Sequence, residues 1–191
     1  LNAGSDQIDW RIEGILPSEG VGRLAGPAGY GKSWMILDLA LECGRGGLWL
    51  GKFATKKTKV LYIDEESSQA LLRKRLNKLL NGKGVLKETL DVDFVVGQGL
   101  CFNNDSSVLQ LRELMKEHKP GLVILDSLIR VHRAEENSAK EMASVFGVVK
   151  SIIREFNCAF LFCDHQRKPG QFGGGADFLL RGSTEKVAFV D

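Results

Sequence analysis

Gly26-Pro-Ala-Gly-Tyr-Gly-Lys-Ser33 decides the reading of this chain. It fits the pattern GxxxxGK[ST] in full. The apolar run Val21-Gly-Arg-Leu-Ala25 precedes it, and a helical pattern follows from Lys32, with Met35, Ile36, Leu39 and Ala40 on one face. Strand, glycine-rich turn and helix in that order are the context the motif requires. The glycines let successive backbone N–H groups turn inward and cradle phosphate oxygens, and the helix N-terminus adds partial positive charge. Lys32 then reaches the β- and γ-phosphates, and the Ser33 hydroxyl binds Mg²⁺.

The rest of the chain alternates strand and helix patterns around that turn. Gly44 to Gly47 end the first helix. Lys59 to Ile63 reads as a buried strand, and Ser67 or Ser68 caps a helix with Leu72, Leu76, Leu79 and Leu80 on one side. Its other side, Arg73, Lys74, Arg75 and Lys78, reads as a solvated face. Asp93 to Val96 is a third strand and Val108 to His118 an amphipathic helix ended by Lys119-Pro-Gly121. Leu122-Val-Ile-Leu125 is wholly apolar, as in a parallel sheet covered on both faces. Ser138-Ala-Lys-Glu141 is a capping box opening a helix to Phe156. Ala159 to Phe162 is a further strand, Gly173 to Gly175 a loop, and Val187 to Val190 a last strand. This alternation predicts an α/β fold with a mainly parallel, twisted sheet and helices on both faces.

With 191 residues, 43% hydrophobic and 26% charged, the chain suits one domain with a core that needs neither disulfides nor metals. We expect residues 1–191 to form that domain, with 1–10 as a lead-in. The missing initial Met and the abrupt end at Asp191 suggest an excised piece, truncated at the C-terminus. No apolar run approaches the ~20 residues that span a bilayer, and the start lacks a signal-peptide pattern. Cys43, Cys101, Cys158 and Cys163 form no CxxC pair, so a reducing cytoplasmic setting is expected, with Cys158 and Cys163 in the core. A net charge of +2 neither calls for nucleic acid nor excludes it.

Acidic residues at strand ends supply the other groups. Asp126, closing Leu122 to Leu125, fits the carboxylate that holds Mg²⁺ through water. Ser127 follows it, so the water-activating Glu comes from elsewhere or is missing. Asp64-Glu65-Glu66 ends the earlier strand on the same rim, and spacing does not choose between Glu65 and Glu66. Asp164-His-Gln-Arg-Lys168 closes the next strand. His165 there can sense the γ-phosphate, and Arg167 or Lys168 can contact phosphate locally or across a subunit interface. Zinc at Asp164 and His165 lacks enough partners.

These residues resemble the RepA-like ATPases, a RecA-fold branch of P-loop NTPases that includes RepA-type hexameric replicative helicases. The likeness runs from Ile8 to Asp191. It rests on Ile12-Glu-Gly-Ile-Leu-Pro17, the Gly26–Ser33 motif followed by Trp34, Leu48-Trp-Leu-Gly-Lys-Phe53, Val60-Leu-Tyr-Ile-Asp-Glu-Glu66, Leu122-Val-Ile-Leu-Asp-Ser127, Glu135-Glu-Asn137, Phe162-Cys-Asp-His-Gln-Arg-Lys168 and Arg181-Gly-Ser183.

The resemblance implies ATP and Mg²⁺ as cofactors, with Gly26, Pro27, Ala28, Gly29, Tyr30, Gly31, Lys32, Ser33 and Trp34 as the nucleotide-binding run. It assigns catalysis to Glu66, four residues after Tyr62, beside Lys32 and the sensor His165. Asp164 stands where many relatives have a first His, so a two-His arrangement is not expected. Lys168 matches the family's motif lysine, and Arg181 is the nearest counterpart of an arginine finger. It also implies a homo-oligomeric ring, a hexamer in the family, on single-stranded DNA and not on a membrane. Channel contacts would come from Arg130, His132 and Arg133 in one loop and Phe172 in another. The rival readings are an ATP-gated regulatory or loader module and, from a third class, a small-molecule kinase.

Overall fold

The computed structural model describes residues 8–132 and 138–165. Its elements in chain order are β1 (Trp10–Ile12), β2 (Leu16–Pro17), β3 (Val21–Gly26), α1 (Lys32–Arg45), β4 (Leu48–Trp49), β5 (Phe53–Ala54), β6 (Val60–Asp64), α2 (Gln69–Lys83), β7 (Val92–Val96), α3 (Asp105–His118), β8 (Leu122–Asp126), α4 (Ala139–Phe156) and β9 (Ala159–His165). Short 3₁₀ turns lie at Lys87–Thr89 and Leu128–Arg130. The predicted loop at Gly173 to Gly175 and strand at Val187 to Val190 lie outside the described residues, as do Arg133, Arg167, Lys168, Phe172 and Arg181.

Five strands form one parallel sheet in the order β3-β9-β8-β6-β7. The chain lays down β3, crosses to β6 and β7, then fills the gap with β8 and β9. This is a RecA-like α/β P-loop fold. The alternation of side chains sorts the core into two layers. Leu61, Ile63, Val123, Leu125, Phe160 and Phe162 face α3 and α4, packing on Leu111, Met142 and Val149. Val60, Tyr62, Ile124 and Leu161 face α1, packing on Ile36, Leu39 and Ala40, with Leu72 of α2 beside them. Leu122, Val123, Ile124 and Leu125 are all fully buried, which explains a strand with no polar alternation. Truncating one of them to Ala would cost about 2–5 kcal/mol.

Two small hairpins, β1-β2 and β4-β5, escaped the sequence reading. Their strands are two or three residues long, too short for periodicity to show. They cover the α1 side, where Ile12, Leu16 and Trp49 join the core.

The helix ends follow local chemistry. Ser68, not Ser67, caps α2 and accepts from Leu71 N. Asn104 caps α3 by accepting from Ser106 N, so the helix starts at Asp105, three residues before the predicted Val108. Ser138 caps α4 as the capping box predicts. α1 has no side-chain cap: Gly31 precedes it at φ 80°, and its carbonyl takes Trp34 N and Met35 N. The start of α1 is therefore shaped by the glycine turn, as an anion-binding terminus requires.

Candidate active site

Strand register brings the site together. Gly26 pairs with His165, Asp126 with Cys163, and Asp64 with Asp126, so the carboxyl ends of β3, β9, β8 and β6 share one rim. A cleft of about 260 Å³ opens there, lined by Ala28, Gly29, Gly31, Lys32, Ser33, Trp34, Glu66, Arg75, Asp126 and Cys163.

Within the glycine turn, the Lys32 ammonium donates to Gly26 O and Pro27 O, both at 2.8 Å. These two residues thus contribute carbonyls to Lys32, not walls to the cleft. Gly29 and Gly31 have φ of +84° and +80°, a region only glycine enters freely, and a Cβ on either would meet nothing within 4 Å. The turn therefore wraps open space beneath a helix N-terminus and a lysine. Tyr30 is 76% exposed and does not line the cleft, whereas Trp34 does.

Asp126 is 2% exposed and takes the Tyr62 hydroxyl at 3.1 Å. Burial pushes its carboxyl above the ordinary range, against hydrogen bonds from the Ser33 hydroxyl and the Cys163 thiol; the nearby Asp64 raises it and Tyr62 lowers it. Ser33 and Asp126 thus meet directly. Their oxygen donors are of the hard type that suits Mg²⁺, and the open, cationic turn suits a polyphosphate. The residues present fit both groups. Cys163 lies in the core as expected, yet its thiol also borders the cleft, and burial raises its pKa far above the usual value.

The three adjacent acids separate completely. Asp64 is fully buried, and its Oδ1 accepts from Glu66 N at 3.0 Å and Ser67 N at 2.7 Å, which shapes the turn after β6. Glu65 reaches sideways to Gly99 N and Leu100 N at 3.0 and 3.3 Å. Glu66 alone borders the cleft, where its Oε2 accepts from the Ser127 hydroxyl at 2.7 Å.

Arg75 was read as part of a solvated face, and the structure corrects this. Arg73, Lys74 and Lys78 are exposed, but Arg75 is half-buried, borders the cleft and donates to the Ser67 hydroxyl at 2.9 Å. The signal was present. Arg75 lies three residues after Leu72 and four before Leu79, which puts it on the buried flank of the helix. The surrounding basic run hid it.

Other predicted residues are placed as follows. His165 ends β9 beside Gly26. Asp164, 1% exposed, turns to Arg23 at 3.7 Å. Arg130 is exposed on the turn after β8, as a loop contact requires. His132, grouped with it in the sequence reading, is instead buried at 7% exposure, because the chain turns back into the core at Val131. Among the described residues no group of three or more His, Cys, Asp or Glu is placed to hold a metal ion. None of the described helices is long and apolar enough to cross a membrane.

An AAA domain family model matches residues 1–171, and the chain belongs to that family of P-loop ATPase domains.

Proposed function

We propose that this chain hydrolyses Mg²⁺-bound ATP, and that it is a RepA-like motor acting as a ring on single-stranded DNA. The observation that carries the ATPase reading is the meeting of Lys32, Ser33, Asp126 and Glu66 in one cleft at the strand ends. Ser33 and Asp126 would hold Mg²⁺, which when bound neutralises charge on the β- and γ-phosphates. The Lys32 ammonium exchanges its two carbonyl partners for phosphate oxygens. Backbone N–H groups of the turn and of α1 bind the same phosphates. Glu66 takes a proton from the attacking water, whose oxygen forms a bond to the γ-phosphorus as the bond to the bridging oxygen breaks. Arg75 offers cationic charge from the same chain on the α2 side of the cleft.

The ring and DNA parts rest on the family likeness, on Arg130 standing exposed after β8, and on the RecA-like strand order. In this reading Arg130, Arg133 and Phe172 meet the strand, His165 reports the γ-phosphate, and Arg167, Lys168 and Arg181 act near phosphate or at the subunit interface. One assay of the full chain tests the whole reading: products from Mg²⁺-ATP with and without single-stranded DNA, with solution mass measured alongside. Free phosphate, stimulation by DNA and a ring-sized mass are expected. A phosphorylated acceptor would mean a kinase. Binding without turnover would mean a regulatory module, and turnover indifferent to DNA would remove the motor.

A further inference from the structure

We propose that Ser127 is the positioning residue for Glu66, tying the water-activating carboxylate to the metal-binding strand. The inference rests on the ATPase reading above.

A carboxylate at the end of a strand has several rotamers, and only some place an oxygen over the γ-phosphate. Glu66 stands two residues beyond the end of β6, on a turn set by Asp64. Its backbone is therefore fixed, but its side chain needs a second anchor. That anchor comes from another strand. The Ser127 hydroxyl donates to Glu66 Oε2 at 2.7 Å, the short distance of a charge-assisted bond.

Ser127 is itself held on all sides. It is fully buried, and its carbonyl accepts from Arg130 N in the turn that follows. It is also the residue immediately after Asp126, and Asp64 and Asp126 are direct register partners. One peptide unit thus separates the group assigned to the metal from the hydroxyl that holds the base. Covalent geometry sets the hydroxyl beside the metal-holding group, and the hydrogen bond carries that placement to the base on a different strand.

This accounts for a feature of the sequence that otherwise looks like a loss. The position after Asp126 carries a hydroxyl where an acid would put the base directly on β8. Here the base is on β6, and the residue after Asp126 holds it.

The test is a double-mutant cycle on the full chain. Ser127→Ala should lower kcat for ATP hydrolysis about 10- to 100-fold, the worth of one hydrogen bond to a charged group. KM, and Mg²⁺-ATP affinity by calorimetry, should stay within about threefold. In a Glu66→Gln background the same change should cost nothing further, because the group it positions no longer acts. Ser127→Cys keeps a donor, though a weaker one on a larger atom, and should fall between wild type and Ala; it carries the test where the Ala variant does not fold. Wild-type turnover in Ser127→Ala overturns the inference. So does an undiminished effect in the Glu66→Gln background, or a matching loss of nucleotide affinity. Full turnover in Glu66→Gln alone is a different failure: it removes Glu66 as the base.

Discussion

The Lys32 ammonium reaches back six residues to hydrogen-bond the Gly26 carbonyl at 2.8 Å, closing the glycine turn on itself. Lys32 is 8% exposed, and a buried ammonium needs acceptors whether or not nucleotide is present. Gly26 and Pro27 provide them, so the turn is shaped before phosphate arrives. Lys32→Ala should therefore weaken Mg²⁺-ATP binding by about 100-fold or more, the loss of at least two charge-assisted contacts. Calorimetry on the variant gives the answer. Undiminished binding would mean that the turn is not the phosphate site.

Arg75 and Arg73 lie two residues apart on α2, one bordering the cleft and one exposed. Arg75→Ala should lower kcat/KM for ATP by roughly tenfold or more, as expected for one lost charge-assisted phosphate contact. Arg73→Ala, on the solvated side, should leave it nearly unchanged. Equal effects in steady-state kinetics would show that helix charge, not position, matters.

That pair also marks how far the sequence could be read. Strand–turn–helix at Val21 to Ala40 carries its own physics: glycines where φ is positive, a lysine and serine at a helix start, apolar spacing behind them. The sheet and its two layers were legible for the same reason, because Leu122 to Leu125 can only be buried on both sides. Third-dimensional neighbours were not legible. Spacing could not say that Glu65 turns to Gly99 while Glu66 enters the cleft, because adjacent residues at a strand end diverge according to the loop they meet. The meeting of Ser127 and Glu66, 61 residues apart, depends on β8 lying beside β6.

Glu65 and Glu66 should respond differently to the same substitution. Glu66→Gln keeps volume and removes the base, so turnover should fall by ~10²–10⁴ while nucleotide still binds. Glu65→Gln weakens the charge-assisted bonds to Gly99 N and Leu100 N. Its expected signature is faster hydrogen exchange at those two amides, with far less effect on turnover. Loss of turnover in Glu65→Gln with full activity in Glu66→Gln would reverse the two roles.

The last prediction concerns stability in acid and turns on Glu42. Its carboxylate is fully buried between α1 and α2, where Arg45 and Lys83 donate to it at 2.7–2.9 Å. Gly47 packs so closely that a Cβ there would collide with it. Burial alone would push this carboxyl up; the hydrogen bonds from Arg45 and Lys83 outweigh burial and hold it below its ordinary value. A group depressed in the folded state contributes stability above its unfolded pKa, about 4.3, and loses it as pH falls through the folded value. Lys83→Met removes one partner and part of the link to Asp38. Since Lys83 is 26% exposed, solvent already screens the pair, and the cost at pH 7 should be about 1–2 kcal/mol. Burial then weighs more heavily on Glu42 and its carboxyl rises toward the unfolded value, so the variant has less Glu42 stability to lose in acid, and the stability gap between the two proteins should narrow as pH falls below about 4.3. Urea melts at pH 7, 5, 4 and 3 on both proteins measure this. Parallel acid limbs, with the same stability gap at every pH, would show that Glu42 does not depend on Lys83 for its charge.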